Sequence, residues 1–216
     1  MPTDRLQRAL PLSGVLFAVA IAAGLALSAG EPDNSSSPAR IYDYWHHHYG
    51  VQLISNLLLI PLGVLFLIVF VSELRRALRS GEASEAIYSP IALGGGLLAA
   101  AGLAVTGTLG AAVATAAHHG RRDATYTLAQ LQSYDWVPWM VGFAVLLLAC
   151  GVGGMRTNAL PKLVSIPALV LGVAFLTPVG YFALFLLPLW MLVASLALAR
   201  RNRPGRRARA AAPQIA

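Results

Sequence analysis

From Pro90 to Ala117 the chain carries no acidic, basic or imidazole side chain and is rich in small residues. Counting in fours from Gly96 gives Gly96, Ala100, Ala104, Thr108, Ala112 and Ala116, every one of them small. A segment with this much glycine is a poor helix in water. In a bilayer the backbone must satisfy its own hydrogen bonds, so the helix forms, and a narrow face lets neighbouring helices approach closely. The segment is expected to be the central helix of a membrane bundle, shielded from lipid by its neighbours.

The rest of the chain fits that class. Only 12% of its 216 residues are charged, against about 25% in soluble domains. The polar stretches between apolar runs are all far shorter than the roughly 50 residues a separate domain needs. Residues 1–200 therefore read as a single transmembrane helical domain, and residues 201–216 as a basic, disordered cytoplasmic tail. The lone cysteine, Cys150, lies in an apolar run and carries no disulfide information.

Six spans are expected in an all-α, polytopic membrane bundle. Pro11 to Ser28 is the first; a signal peptide cleaved after Ala26-Leu27-Ser28 is the competing reading, but the apolar run exceeds the usual 7–15 residues. Val51 to Val71 is the second, with a kink expected at Pro61. Its helix should continue through Arg75, Arg76 and Arg79 and stop at Gly81. Ser89-Pro90 is expected to cap and open the third span. Asp135 to Gly153 is the fourth. Leu163 to Arg200 is too long for one crossing, and Pro178 and Gly180 divide it into Leu163–Leu176 and Tyr181–Ala199.

Two polar segments separate these spans on one side. Gly30 to Gly50 ends in Tyr42-Asp43-Tyr44-Trp45-His46-His47-His48-Tyr49, an aromatic belt of the kind found at headgroup level. His118 to Tyr134 contains Thr127-Leu128-Ala129-Gln130, which has capping-box form and predicts a short surface helix.

Basic residues set the orientation. With six spans and a cytoplasmic N-terminus, 13 basic residues fall inside and 3 outside, so both termini are expected to be cytoplasmic. With the acids divided 4 inside and 5 outside, the faces carry +9 and −2. The six arginines from Arg200 to Arg209 are better explained as a topology determinant that touches anionic lipid than as a nucleic-acid site.

The histidines form the one constellation with metal chemistry. His46, His47 and His48 precede the second span, and His118 and His119 follow the third. Imidazoles from two helices can hold a transition metal or haem iron, with His47 and His118 as one ligand from each group. Against this, three consecutive histidines point about 100° apart on a helix, and no His-x3-His spacing is present. The alternative is that they anchor the membrane interface and favour a helix C-terminus. Asn56, one turn inside the second span, is the polar residue best placed to line a ligand site.

No expected span holds an ionisable residue in its interior, which argues against a pump or an ion-coupled carrier. No Gly-x-Ser-x-Gly, Walker or dinucleotide fingerprint is present. Leu160-Pro161-Lys162, the break at Pro178 and Leu187-Pro188-Leu189-Trp190 give the chain a layout that resembles six-helix integral membrane proteins of actinobacteria. That resemblance implies the six-helix fold and no activity. The leading expectation is a non-enzymatic bundle, either an accessory to a membrane-protein partner or a binder of a lipophilic ligand. A haem- or metal-binding redox protein is the alternative. A small-molecule transporter, with an inner cavity reaching Asn56 and Pro61, is a third.

Overall fold

A computed structural model describes residues 10–33, 35–82 and 86–201. The terminal arginines from Arg203 to Arg209, and with them nearly all of the expected tail, lie outside the described residues. Among the described residues all regular structure is helical. Helix α1 runs from Leu10 to Leu27, α2 from Pro38 to His47, α3 from Tyr49 to Arg79 and α4 from Tyr88 to His118. They are followed by α5 (Arg122–Gln132), α6 (Trp136–Thr157), α7 (Lys162–Ala174) and α8 (Gly180–Arg201). Five stretches are long and apolar enough to cross a bilayer: α1, α3, α4, the stretch ending in α6, and α8. Helix α7 is apolar but has only 13 residues.

Helix α3 is unbroken, and its irregularity precedes the proline. Ser55–Leu59 form a π turn, in which the Ile60 amide donates to Ser55 O, five residues back. Pro61 has no amide to continue the ladder, and the extra residue is absorbed one turn ahead of it. The helix also runs past the expected membrane edge. As expected, it continues to Arg79, and Glu73 is buried on it and pairs with Arg76.

Helix α2 was not foreseen. Its start is nonetheless written in the chain: the Ser37 hydroxyl accepts from the Arg40 amide at 3.4 Å, and Pro38 occupies the first turn. The second surface helix begins at Arg122, earlier than the expected start. Thr127 lies in its interior and donates to Asp123 O at 2.9 Å, so it is no cap. The third span likewise opens at Tyr88, ahead of Ser89, whose amide is held by Glu82 Oε1 at 2.9 Å.

The bundle helices form a ring, α1–α3–α4–α6–α7–α8, which closes back on α1. Helix α4 is therefore not central. It packs mainly on α3 and α6, while Ile91, Leu97, Leu98 and Val105 on its far side are exposed. The face it turns inward is still the narrow one, but it follows a different register from the count in fours. A step of four residues advances about 400°, which drifts about 40° per step around the helix. Ala104 and Thr108 have consequently rotated out to the surface. The buried line alternates fours and threes: Gly96, Ala100, Leu103, Gly107, Gly110, Ala114.

Close contact is made at glycines. A Cβ at Gly95 would lie 2.5 Å from Leu146 N, and one at Gly142 would lie 2.3 Å from Ala99 N. Gly102 meets the Trp139 backbone at 2.6 Å in the same sense, and Gly96 meets Val71. At the opposite end of the bundle from α2 and α5, Arg201 donates to Ala159 O and, at 2.6 Å, to Ser80 Oγ. This ties together the ends of α3 and α8 and the turn between α6 and α7.

These contacts separate two substitutions that sequence alone would equate. Gly142→Ala should lower stability in detergent by about 1–3 kcal/mol through overpacking. Ala104→Leu, on the exposed face, should stay within about 0.5 kcal/mol of the wild type. Thermal melts of the purified variants measure both, and equal losses would contradict the assigned register.

Candidate functional site

Helices α2 and α5 fold over the end of α4 and form a lobe. Ile41 and Trp45 pack there against Val113, Ala114 and Ala117. The five histidines belong to this lobe or its edge. His46 Nδ1 pairs with Ala117 O at 3.0 Å, which binds α2 to α4. His47 and His48 turn back to their own helix, on Asp43 O at 2.7 Å and Tyr44 O at 2.9 Å. His118 stacks on Tyr49 with ring centroids 4.1 Å apart, and His119 lies edge-on to it. Among the described residues no three His, Cys, Asp or Glu side chains gather where they could hold an ion. His47 and His118 are each engaged with a different partner.

Beneath the lobe lies a partly open cavity of about 190 Å³ between α1, α3, α4, α6 and α8. Its walls are mainly apolar, built from residues such as Phe17, Ile21, Leu103 and Phe143. Its polar groups collect at the lobe end, where Gln52, Asn56, Thr106, Gln132 and Glu31 reach it. Asn56 lies on the cavity wall. Pro61 is not on the wall and faces outward.

The π turn and the glycines of α4 set the position of Asn56. Its Nδ2 donates to Gln52 O at 2.8 Å, and Gln52 Nε2 donates to the Tyr44 hydroxyl at 2.9 Å. Both amide side chains are buried. The Asn56 carboxamide lies against α4 at Gly110, where a Cβ would come within 2.2 Å of Oδ1. A Cβ at Gly107 would come within 2.8 Å of Asn56 O. A widened turn of α3 thus fits into a glycine notch of α4, and a polar chain leads from Tyr44 in the lobe to the cavity.

A second cavity of about 200 Å³ lies at the mouth, between the lobe and the ring, and is mostly polar. Glu31, Trp45, Gln132 and Asp135 line it, and Glu31 and Gln132 line the inner cavity as well. Desolvation at the mouth, reinforced by the Asp135 carboxylate, raises the Glu31 carboxyl above its ordinary value. Glu31 is nonetheless exposed to solvent, which screens the shift and leaves its direction. Burial also raises Asp135, in the turn before α6, to about 6, while the Thr106 hydroxyl opposes the rise. Asp135 Oδ2 is buried without a hydrogen-bond partner.

Sequence reasoning reached Asn56 but missed Gln52, Thr106, Glu31 and Asp135. The two acids border spans one and four, and nothing in their spacing shows that the lobe brings them together. The available signal was the surplus of acids over bases in the segments expected to lie outside.

Both carboxyls bind protons more tightly in the folded chain than at their ordinary values near 4. Stability from these groups should therefore be greatest below about pH 4 and be lost as pH rises through their raised values. Thermal melts of wild type and Glu31→Gln between pH 5 and 8 should show the wild type losing more stability on the alkaline side. Parallel curves would contradict the assigned environment of Glu31.

Comparison of this chain with protein-family descriptions, with curated proteins and with solved structures finds no match.

Proposed function

We propose that this chain is a six-span membrane bundle, with both termini cytoplasmic, that holds a lipophilic ligand in the cavity beside Asn56. The observation that carries the reading is the cavity itself, with apolar walls along the ring and buried amide groups at one end. Such polarity suits an amphiphile whose tail lies among Phe17, Ile21 and Leu103 and whose head meets Gln52 and Asn56. Apolar cavities of roughly 150 Å³ already take up a benzene-sized group, so about 190 Å³ accommodates a ring or a short alkyl segment. Apolar ligands reach such a site readily from the surrounding bilayer.

The six-span reading counts α7 as a crossing. Its 13 residues rise about 20 Å, less than the roughly 30 Å hydrocarbon core. Local thinning and interfacial flanking residues accommodate such a mismatch. The bonds from Arg201 to Ala159 and Ser80 support an even number of crossings, because they gather three basic-flanked ends on one face. The 13-to-3 division of basic residues supports that face as the cytoplasmic one.

Single cysteines report the orientation, since Cys150 is buried. Ala39→Cys on α2 should react with a membrane-impermeant maleimide on intact cells, and Lys162→Cys only after permeabilisation. The reverse pattern overturns the orientation.

Ligand binding is tested with bromo-octanol, whose bromine quenches tryptophan at contact. Trp139 lines the cavity, so saturable quenching is expected, smaller in Trp139→Phe. Gly63 also lines the cavity, with its nearest neighbours at ordinary contact distance. Gly63→Leu should fill part of the space and weaken quenching about tenfold, which corresponds to about 1.4 kcal/mol. Quenching unaffected by Gly63→Leu would overturn the ligand reading.

A further inference from the structure

Resting on the ligand reading above, we infer that the occupant's head is a cation, an alkylammonium seated at the mouth between Glu31, Asp135 and Trp45, with its tail in the inner cavity. The two cavities share Glu31 and Gln132 as wall, so one molecule can reach both. Two carboxylates from different segments line the mouth, and no Lys, Arg or His lines either cavity among the described residues. Two arginines of the lobe are directed elsewhere. Arg122 lies over the Tyr42 ring at 5.0 Å, and Arg40 acts on Asp33.

Other heads fit less well. An anionic head would meet two like charges. A neutral head could bond to Gln52 and Asn56 but would bring no counter-charge to the two carboxyls at the mouth. A bare metal ion would need more ligands than the described residues gather. An ammonium group supplies charge to both carboxylates and meets Trp45 where it lines the mouth. Such cation–aromatic contact is a recurrent mode of quaternary-ammonium recognition. The −2 charge of the proposed outer face draws cations toward the same mouth.

The test uses the full chain in zwitterionic nanodiscs near pH 8, where both carboxyls are largely ionised. Three ligands with one tail, octyltrimethylammonium, octanol and octanoate, compete against bromo-octanol quenching of Trp139. The ammonium should bind at least about tenfold tighter than the alcohol, and octanoate weakest. The ammonium-to-alcohol ratio should collapse toward one in Glu31→Gln and, separately, in Asp135→Asn. Equal binding of the three, or a ratio unchanged in both variants, overturns the cationic head while the ligand site stands. Failure of all three to displace the probe, with quenching insensitive to Gly63→Leu, removes the site itself and the inference with it.

Discussion

Backbone-to-backbone approach of α4 with α3 and α6 is the constraint on which the rest of the bundle depends. Between helices in lipid there is little hydrophobic drive, because acyl chains are as apolar as the side chains they would replace. Association then rests on close packing, and packing tightens where side chains vanish. Gly142 sits so near Ala99 that a single added carbon would collide with its amide nitrogen. Gly95, on the opposite side of the same seam, presents its carbonyl oxygen to Gly142. Small residues on both partners, rather than on one, bring α4 and α6 together.

The seam with α3 is of another kind. There the glycines of α4 receive a polar group instead of a bare helix face. Gly107 takes the backbone of the π turn and Gly110 takes the Asn56 side chain. A carboxamide buried in an apolar bundle is tolerable only if it is hydrogen-bonded, and the turn supplies Gln52 O within reach. Pro61 follows the turn closely. Missing donor, widened turn, buried amide and glycine notch are thus parts of one arrangement. Widened turns of this sort recur at functional sites, and here the turn orients the polar end of the cavity.

Much of the bundle was legible in the chain because lipid imposes simple rules. Charge-free runs marked the long helices, and Pro178 marked the division between α7 and α8. The place of α4 was misread because a count in fours looks like a face over one turn and becomes a spiral over five. Helix α2 was obscured by its aromatic content, although Ser37-Pro38 signalled its start. Asn56 was found since an amide inside an apolar run stands out. Glu31 and Asp135 were not, because acids in loops carry no signal by themselves. Only the docking of α2 and α5 over α4, through Trp45, Ile41 and His46, makes them neighbours.

The cavity itself has a cause in the distribution of bulk along α1 and α3. Toward the end that carries Arg201, large rings fill the ring of helices. Phe70 lies 6.2 Å from Trp190, whose indole donates to Val164 O, and Phe17, 6.1 Å from Phe143, forms the boundary with the cavity. Gly14 belongs to this dense half, and a Cβ there would fall 2.2 Å from Ser195 Oγ. Ten residues on, Gly24 has nothing within 4 Å of the same position, and it lines the cavity together with Ala20 and Gly63. Glycine thus does opposite things along one helix. At the dense end it permits contact, and at the lobe end it leaves space that no neighbour fills. A bundle selected for packing alone would place larger side chains at those lobe-end positions. Their smallness leaves the space open, and the polar chain from Tyr44 through Gln52 to Asn56 makes its lobe end the polar one.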